Sequence, residues 1–126
     1  MKIEHTAVYV DDLEGAKDFF VRYFDGQANN RYENKAKGFS SYFIRFDDGS
    51  RLELMSQADV QKTCLKKHLG FAHIAFSVGN KQKVSELTSR LANDGYDIVS
   101  EPRTTGDGYF ESCILDKEGN MIEITI

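Results

Sequence analysis

The chain has 126 residues, 40% of them hydrophobic and 29% charged, with a net charge of −4 at neutral pH. That size suits one compact domain or two small packed modules, and the composition excludes a disordered or fibrous chain. The acids and bases are interspersed, which leaves no basic stripe to follow phosphates and makes nucleic acid a poor partner.

The amino-terminal stretch Ile3–Val10 is β-rich and partly alternating, and Asp11-Asp12 is a plausible cap for a helix with its apolar stripe at Leu13, Ala16, Phe20, Tyr23 and Phe24. Gly26 is the expected helix stop, residues 28–33 a short edge strand, and Phe39–Phe46 a strand turning through Asp47-Asp48-Gly49-Ser50 into Arg51–Ser56. Residues 57–69 read as a polar connector, short helical or irregular. Phe71–Val78 then predicts a strand, and Val84, Leu87, Leu91 and Ala92 predict a helix ending near Gly95. Tyr96–Ser100 reads as an edge strand closed off by Glu101-Pro102. Tyr109–Leu115 reads as a further strand, and Asp116–Asn120 as the turn into the last one.

The order βαβββ thus occurs twice. The expected fold is α+β: two tandem modules, residues 1–56 and 70–126, forming a cupped mixed sheet around a central cavity within a single domain. His5 falls on His73, a shift of 73 − 5 = 68, and Glu53 falls on Glu123, a shift of 123 − 53 = 70. An internal repeat of this kind governs how every single motif is read.

Side chains alternate across a strand, so counting in twos assigns each residue a face. His5 opposes Thr6, Val8 and Val10; His73 opposes Ile74, Phe76 and Val78; Glu53 opposes Leu52 and Leu54; Glu123 opposes Ile122, Ile124 and Ile126. If each greasy face packs under its helix, both histidines and both glutamates project onto the free face. An isolated buried carboxylate is costly and calls for a partner. Two imidazoles and two carboxylates suit a borderline divalent ion such as Zn²⁺, Ni²⁺, Co²⁺ or Fe²⁺. Taken singly, each residue reads as a satisfied core histidine or half of an ordinary ion pair. Four of them at corresponding places in two repeats argue for a shared metal site.

Other residues offer less. Cys64 and Cys113 lie far apart with no CxxC spacing and read as two inert thiols in a reducing compartment. Charge appears at Glu4 and Asp11-Asp12 before any hydrophobic run, so neither a signal peptide nor a membrane span is expected, and the protein reads as cytoplasmic. The stretch Arg103–Tyr109 reads as a rim or lid near the metal, with Arg103 meeting a substrate carboxylate, or as a solvated loop. Phe39, Tyr42, Phe43, Tyr109 and Phe110 could line an apolar cup, or simply pack in the core.

Four segments, residues 3–13, 51–54, 70–76 and 115–124, carry a resemblance to the glyoxalase/bleomycin-resistance/dioxygenase (vicinal oxygen chelate) superfamily that extends over essentially the whole chain. In that family paired βαβββ modules form a cupped sheet around a metal that binds two substrate oxygens. The resemblance implies His5, Glu53, His73 and Glu123 as ligands of a divalent ion, Zn or Ni first and Co, Fe or Mn after them. The set is similar to that of glyoxalase I (lactoylglutathione lyase). It implies a lyase or isomerase acting on a 2-oxoaldehyde thiohemiacetal or a related vicinal-oxygen compound, with Glu123 as base and Glu53 as the alternative. Tyr9 stands where glutathione-dependent members often carry arginine, which leaves the thiol cosubstrate open. A homodimer is implied too, in some members with the modules of one site drawn from two chains. The competing class is a binding protein that sequesters a small ligand or antibiotic without turnover; a dioxygenase or thiol transferase of the same superfamily is a further alternative.

Overall fold

The computed structural model describes residues 3–61, 70–106 and 108–126. Most of the expected connector, with Cys64, lies outside the described residues, as does Asp107. The chain divides into two compact units, Met1–Cys64 and Leu65–Ile126.

The first unit runs β1 (Thr6–Tyr9), α1 (Leu13–Phe24), β2 (Gln27–Ala28), β3 (Tyr32–Asn34), β4 (Phe39–Arg45) and β5 (Arg51–Gln57). Its sheet has the order β1-β5-β4-β2, with β3 also on β4; β1 is parallel to β5 and the other pairs are antiparallel. Helix α1 starts where the Asp12 carboxylate accepts the Gly15 N–H at 3.0 Å, supplying a partner for a donor that the first turn leaves free. Leu13, Ala16, Phe19, Phe20 and Tyr23 are its buried stripe, and it packs on β4 and β5. Under it lie Tyr42, Ile44, Leu52 and Leu54.

Two local expectations change here. Asp25, not Gly26, takes the left-handed conformation that ends α1, with φ 53°. Gly26 is needed for space instead, because a Cβ there would sit 2.4 Å from Ile44 Cγ2. The single edge strand expected over 28–33 is two short strands, β2 and β3. Asn29 fills the gap between them: its backbone N–H donates to Phe43 O at 3.0 Å, and its side-chain oxygen accepts the Phe43 N–H at 2.8 Å.

The second unit runs β6 (Ile74–Ser77), α2 (Lys81–Asn93), β7 (Ile98–Thr104), β8 (Phe110–Leu115) and β9 (Met121–Thr125). Its sheet order is β6-β9-β8-β7, with β6 parallel to β9 and the remaining pairs antiparallel. Asn80 caps α2 by accepting the Lys83 N–H at 2.9 Å. The buried stripe of α2 is Val84, Thr88 and Leu91, whereas Leu87 is half-buried and Ala92 is exposed. Thr88 belongs in that stripe because its hydroxyl is satisfied: it donates to Val84 O at 2.6 Å and lies 2.6 Å from Ser112 Oγ. With the Thr88 proton committed to that carbonyl, Ser112 is the donor to Thr88.

Strand β7 continues through Pro102 to Thr104, past the stop expected at Glu101-Pro102. Proline is tolerated because β7 is an edge strand, and its ladder to β8 skips from Ser100 to Arg103. The chain is therefore α+β, two mixed sheets each carrying one helix. Among the described residues no helix is long and apolar enough to cross a membrane.

Candidate metal centre

The period of two places the expected residues within each unit. Glu53 lies in the middle of β5, level with Ala7 of β1 and Phe43 of β4, on the face away from α1. Its neighbours Leu52 and Leu54 are 3% and 0% exposed on the helix face, while the Glu53 side chain keeps 18%. His5 directly precedes β1, which begins at Thr6, so the first strand is shorter than Ile3–Val10. Its Nε2 lies 3.9 Å from Glu53 Oε2.

The second unit repeats the arrangement. Glu123 lies in β9 between Ala75 of β6 and Cys113 of β8, also with 18% of its side chain exposed. His73 immediately precedes β6, and its Nε2 is 3.5 Å from Glu123 Oε2. Both separations lie at or beyond the limit of a hydrogen bond. Two ligands at roughly 2.1 Å from one ion stand about 3–4 Å apart, depending on the bond angle. Each His–Glu pair therefore fits two positions on one divalent cation, and the nitrogen and oxygen donors match a borderline ion.

Two further neighbourhoods were missed from sequence. Glu4 sits beside His5: its Oε2 is 2.5 Å from His5 Nδ1, and its Oε1 accepts from Arg51 Nη2. The hydrogen bond with His5, then that with Arg51, holds the Glu4 carboxyl below the usual glutamate range. Arg51 lies over the Phe43 ring at 4.3 Å, and the His5 ring meets Phe43 edge-on at 5.4 Å. In the second unit Glu111, Cys113 and Glu123 offer donor atoms all within 4.8 Å of one another. Parity would have found them, since odd-numbered residues of β8 and β9 share the face of Glu123. Burial, then the Glu123 and Glu111 carboxylates, push the Cys113 thiol up from its ordinary value.

Arg103 is not in a rim loop. It lies in β7, 3.7 Å from Glu111 of its own chain, and its Nε donates to Ser100 Oγ at 3.0 Å. The aromatic residues also divide. Phe39 and Phe43 share the face of Glu53, but Tyr42 is buried under α1 with its hydroxyl donating to Glu14 at 2.8 Å. Phe110 lies on the helix side, with Lys81 Nζ 5.1 Å from its ring centre, and Tyr109 is exposed.

Comparison with known proteins agrees with the fold. The uncharacterized protein YqjT of Bacillus subtilis (strain 168) is 23% identical over 127 residues, covering 97% of this chain and 96% of its own. Glyoxalase I from Zea mays superposes with a TM-score of 0.80 at 20% identity, covering 98% of this chain; the chain spans only 44% of the maize protein. The trypanothione-dependent glyoxalase I of Leishmania major gives a TM-score of 0.78 at 21% identity, with 99% of this chain and 86% of that one covered. Residues 2–124 match the family described as Glyoxalase/Bleomycin resistance protein/Dioxygenase superfamily, and with two βα-sheet units each presenting a His–Glu pair, the chain belongs to that superfamily.

Proposed function

We propose that the protein is a metal-dependent lyase or isomerase of the glyoxalase I type, acting on a 2-oxoaldehyde thiohemiacetal or a similar substrate with two adjacent oxygens. The proposed ligands are His5, Glu53, His73 and Glu123, for Zn or Ni first and for Co, Fe or Mn after them. One observation carries the reading: each unit sets a histidine Nε2 3.9 or 3.5 Å from a largely shielded glutamate on the face away from its helix. Superfamily membership and the likeness in fold to proteins named glyoxalase I add support.

When bound, a divalent ion would supply Lewis-acid polarisation of two adjacent oxygens, acidifying the C–H of the hydroxyl-bearing carbon next to the carbonyl. The chain's own carboxylates move the proton. Glu123 takes it from the thiohemiacetal carbon and returns it to the neighbouring carbon, and the hydroxyl proton passes from the first oxygen to the second, so carbonyl and hydroxyl exchange places with no net change in atoms. Glu53 is the alternative for that role. Tyr9, 45% exposed on the face of His5, stands in place of a cation and leaves the thiol partner to be found by assay. A cytoplasmic homodimer is part of the same proposal.

The test loads metal-free protein with Ni²⁺ or Zn²⁺ and follows solvent proton exchange at the substrate carbon with methylglyoxal and several thiols. Glu123→Gln should lower exchange by roughly 10²–10⁴-fold. Unchanged exchange in both Glu123→Gln and Glu53→Gln would overturn the assignment. Absence of metal in purified protein, with no turnover after Ni²⁺ or Zn²⁺ addition, would favour a non-catalytic binder.

A further inference from the structure

The two histidines have different neighbours behind them. His5 Nδ1 is 2.5 Å from Glu4 Oε2, and Arg51 donates to the other Glu4 oxygen while lying over the Phe43 ring. An ionised carboxylate only accepts hydrogen bonds, so the contact requires the proton on His5 Nδ1. A neutral imidazole then leaves its lone pair on Nε2, the atom that faces Glu53 at 3.9 Å. The corresponding residues of the second unit, by the same shifts of 68 and 70, are Ala72 for Glu4, Met121 for Arg51 and Cys113 for Phe43. None of the three is charged at neutral pH.

We propose that Glu4 is a positioning residue, anchored by Arg51, that fixes His5 as its Nδ1–H tautomer and so presents the Nε2 lone pair to a metal, a device that His73 does not share among the described residues. A carboxylate behind a ligating imidazole orients the ring and raises its basicity as a donor, and its loss typically weakens metal binding 10–100-fold. The inference rests on the reading of His5 as a ligand, and the two are tested separately.

The first measurement is the imidazole ¹⁵N–¹H correlation spectrum of the metal-free, full-length protein, which reads directly which nitrogen of each ring carries the proton. His5 should show the Nδ1–H tautomer, and Glu4→Ala should shift it toward Nε2–H while the His73 signals stay in place. Arg51→Met, which installs the residue found in the second unit, should shift it in the same direction and by less. Co²⁺ titration of the same proteins should show about 10–100-fold weaker binding in Glu4→Ala. A His5 tautomer unchanged by Glu4→Ala overturns the positioning role. Co²⁺ affinity unchanged in Glu4→Ala but lowered in His5→Ala overturns the claim that the tautomer serves the metal. Affinity unchanged in His5→Ala overturns instead the ligand reading on which both stand.

Discussion

At one pair of corresponding positions, 112 − 42 = 70, the two units tie helix to sheet through different chemistry. In the first unit Tyr42 reaches up from β4 and donates to Glu14 of α1 at 2.8 Å, in a cluster where Lys17 and Arg31 also meet that carboxylate. In the second unit Ser112 of β8 meets Thr88 of α2 at 2.6 Å, and both are almost wholly buried. One tie is long and runs from a buried ring to a charged, half-exposed carboxylate; the other is short, neutral and dry. A large phenol can carry its hydroxyl to the helix edge, whereas a serine must find its partner directly beneath the helix axis. The repeat therefore fixes the strand position from which the tie is made and leaves its helix partner and its chemistry free.

The largest test of that equivalence is in the apolar layer. Leu54 and Ile124 occupy the same place, 124 − 54 = 70, and both are 0% exposed. Leu54→Ala and Ile124→Ala should each cost about 2–5 kcal/mol in urea unfolding, from lost burial plus the cavity left behind. A large effect in only one of them would show that the two cores are not equivalent.

A smaller effect separates the two ties. Ser112→Ala should cost about 1 kcal/mol and do so equally across pH, since neither hydroxyl titrates in the range where the fold persists. Tyr42→Phe should cost less and depend on pH. Hydrogen bonds from Lys17, then Tyr42, hold the Glu14 carboxyl below its ordinary value. A depressed folded value means that the stabilisation is present above the ordinary glutamate range and is lost as pH falls through the lowered one. The gap between wild type and Tyr42→Phe should therefore close on acidification, measured as unfolding midpoints over an acid series. A pH-independent gap would mean that Glu14 is not what Tyr42 serves.

The smallest expected change is at the open face. Phe43 carries the Arg51 guanidinium at 4.3 Å and the edge of His5, whereas its counterpart Cys113 has no ring to offer. Phe43→Leu should cost about 0.5–1 kcal/mol of stability through the lost cation–π contact. The same substitution should increase the mobility of Arg51, seen as sharper side-chain resonances.

Much of the fold was legible because alternation is a strict rule. Leu52-Glu53-Leu54 and Ile122-Glu123-Ile124 each place an acid opposite two aliphatics, and the structure keeps every one of those residues on its expected face. What escaped was polar residues doing apolar work and apolar residues on the wrong count. Thr88 lies four residues after Val84 and three before Leu91, the spacing of a buried stripe, but a hydroxyl there becomes credible only once Ser112 is known to face it. Tyr42 resembles Phe39 and Phe43 only in being aromatic; its even number sets it with Ile44 under the helix. Along the sequence Glu4 is no more than an early charge near the amino terminus. Its role needs a contact with Arg51, 47 residues away along the chain, which no local spacing announces.

The outer strands have a bearing on how this protein behaves when crowded. A sheet edge with a continuous row of free N–H and C=O groups invites a strand from another molecule. In the first unit that row is broken between Ala28 and Tyr32, where Asn29 uses its own side chain on Phe43. In the second it is broken at Pro102, which has no N–H to offer, within a ladder that already skips residues. Each sheet thus has one border too irregular to present a continuous row of free groups, which disfavours strand addition at that border.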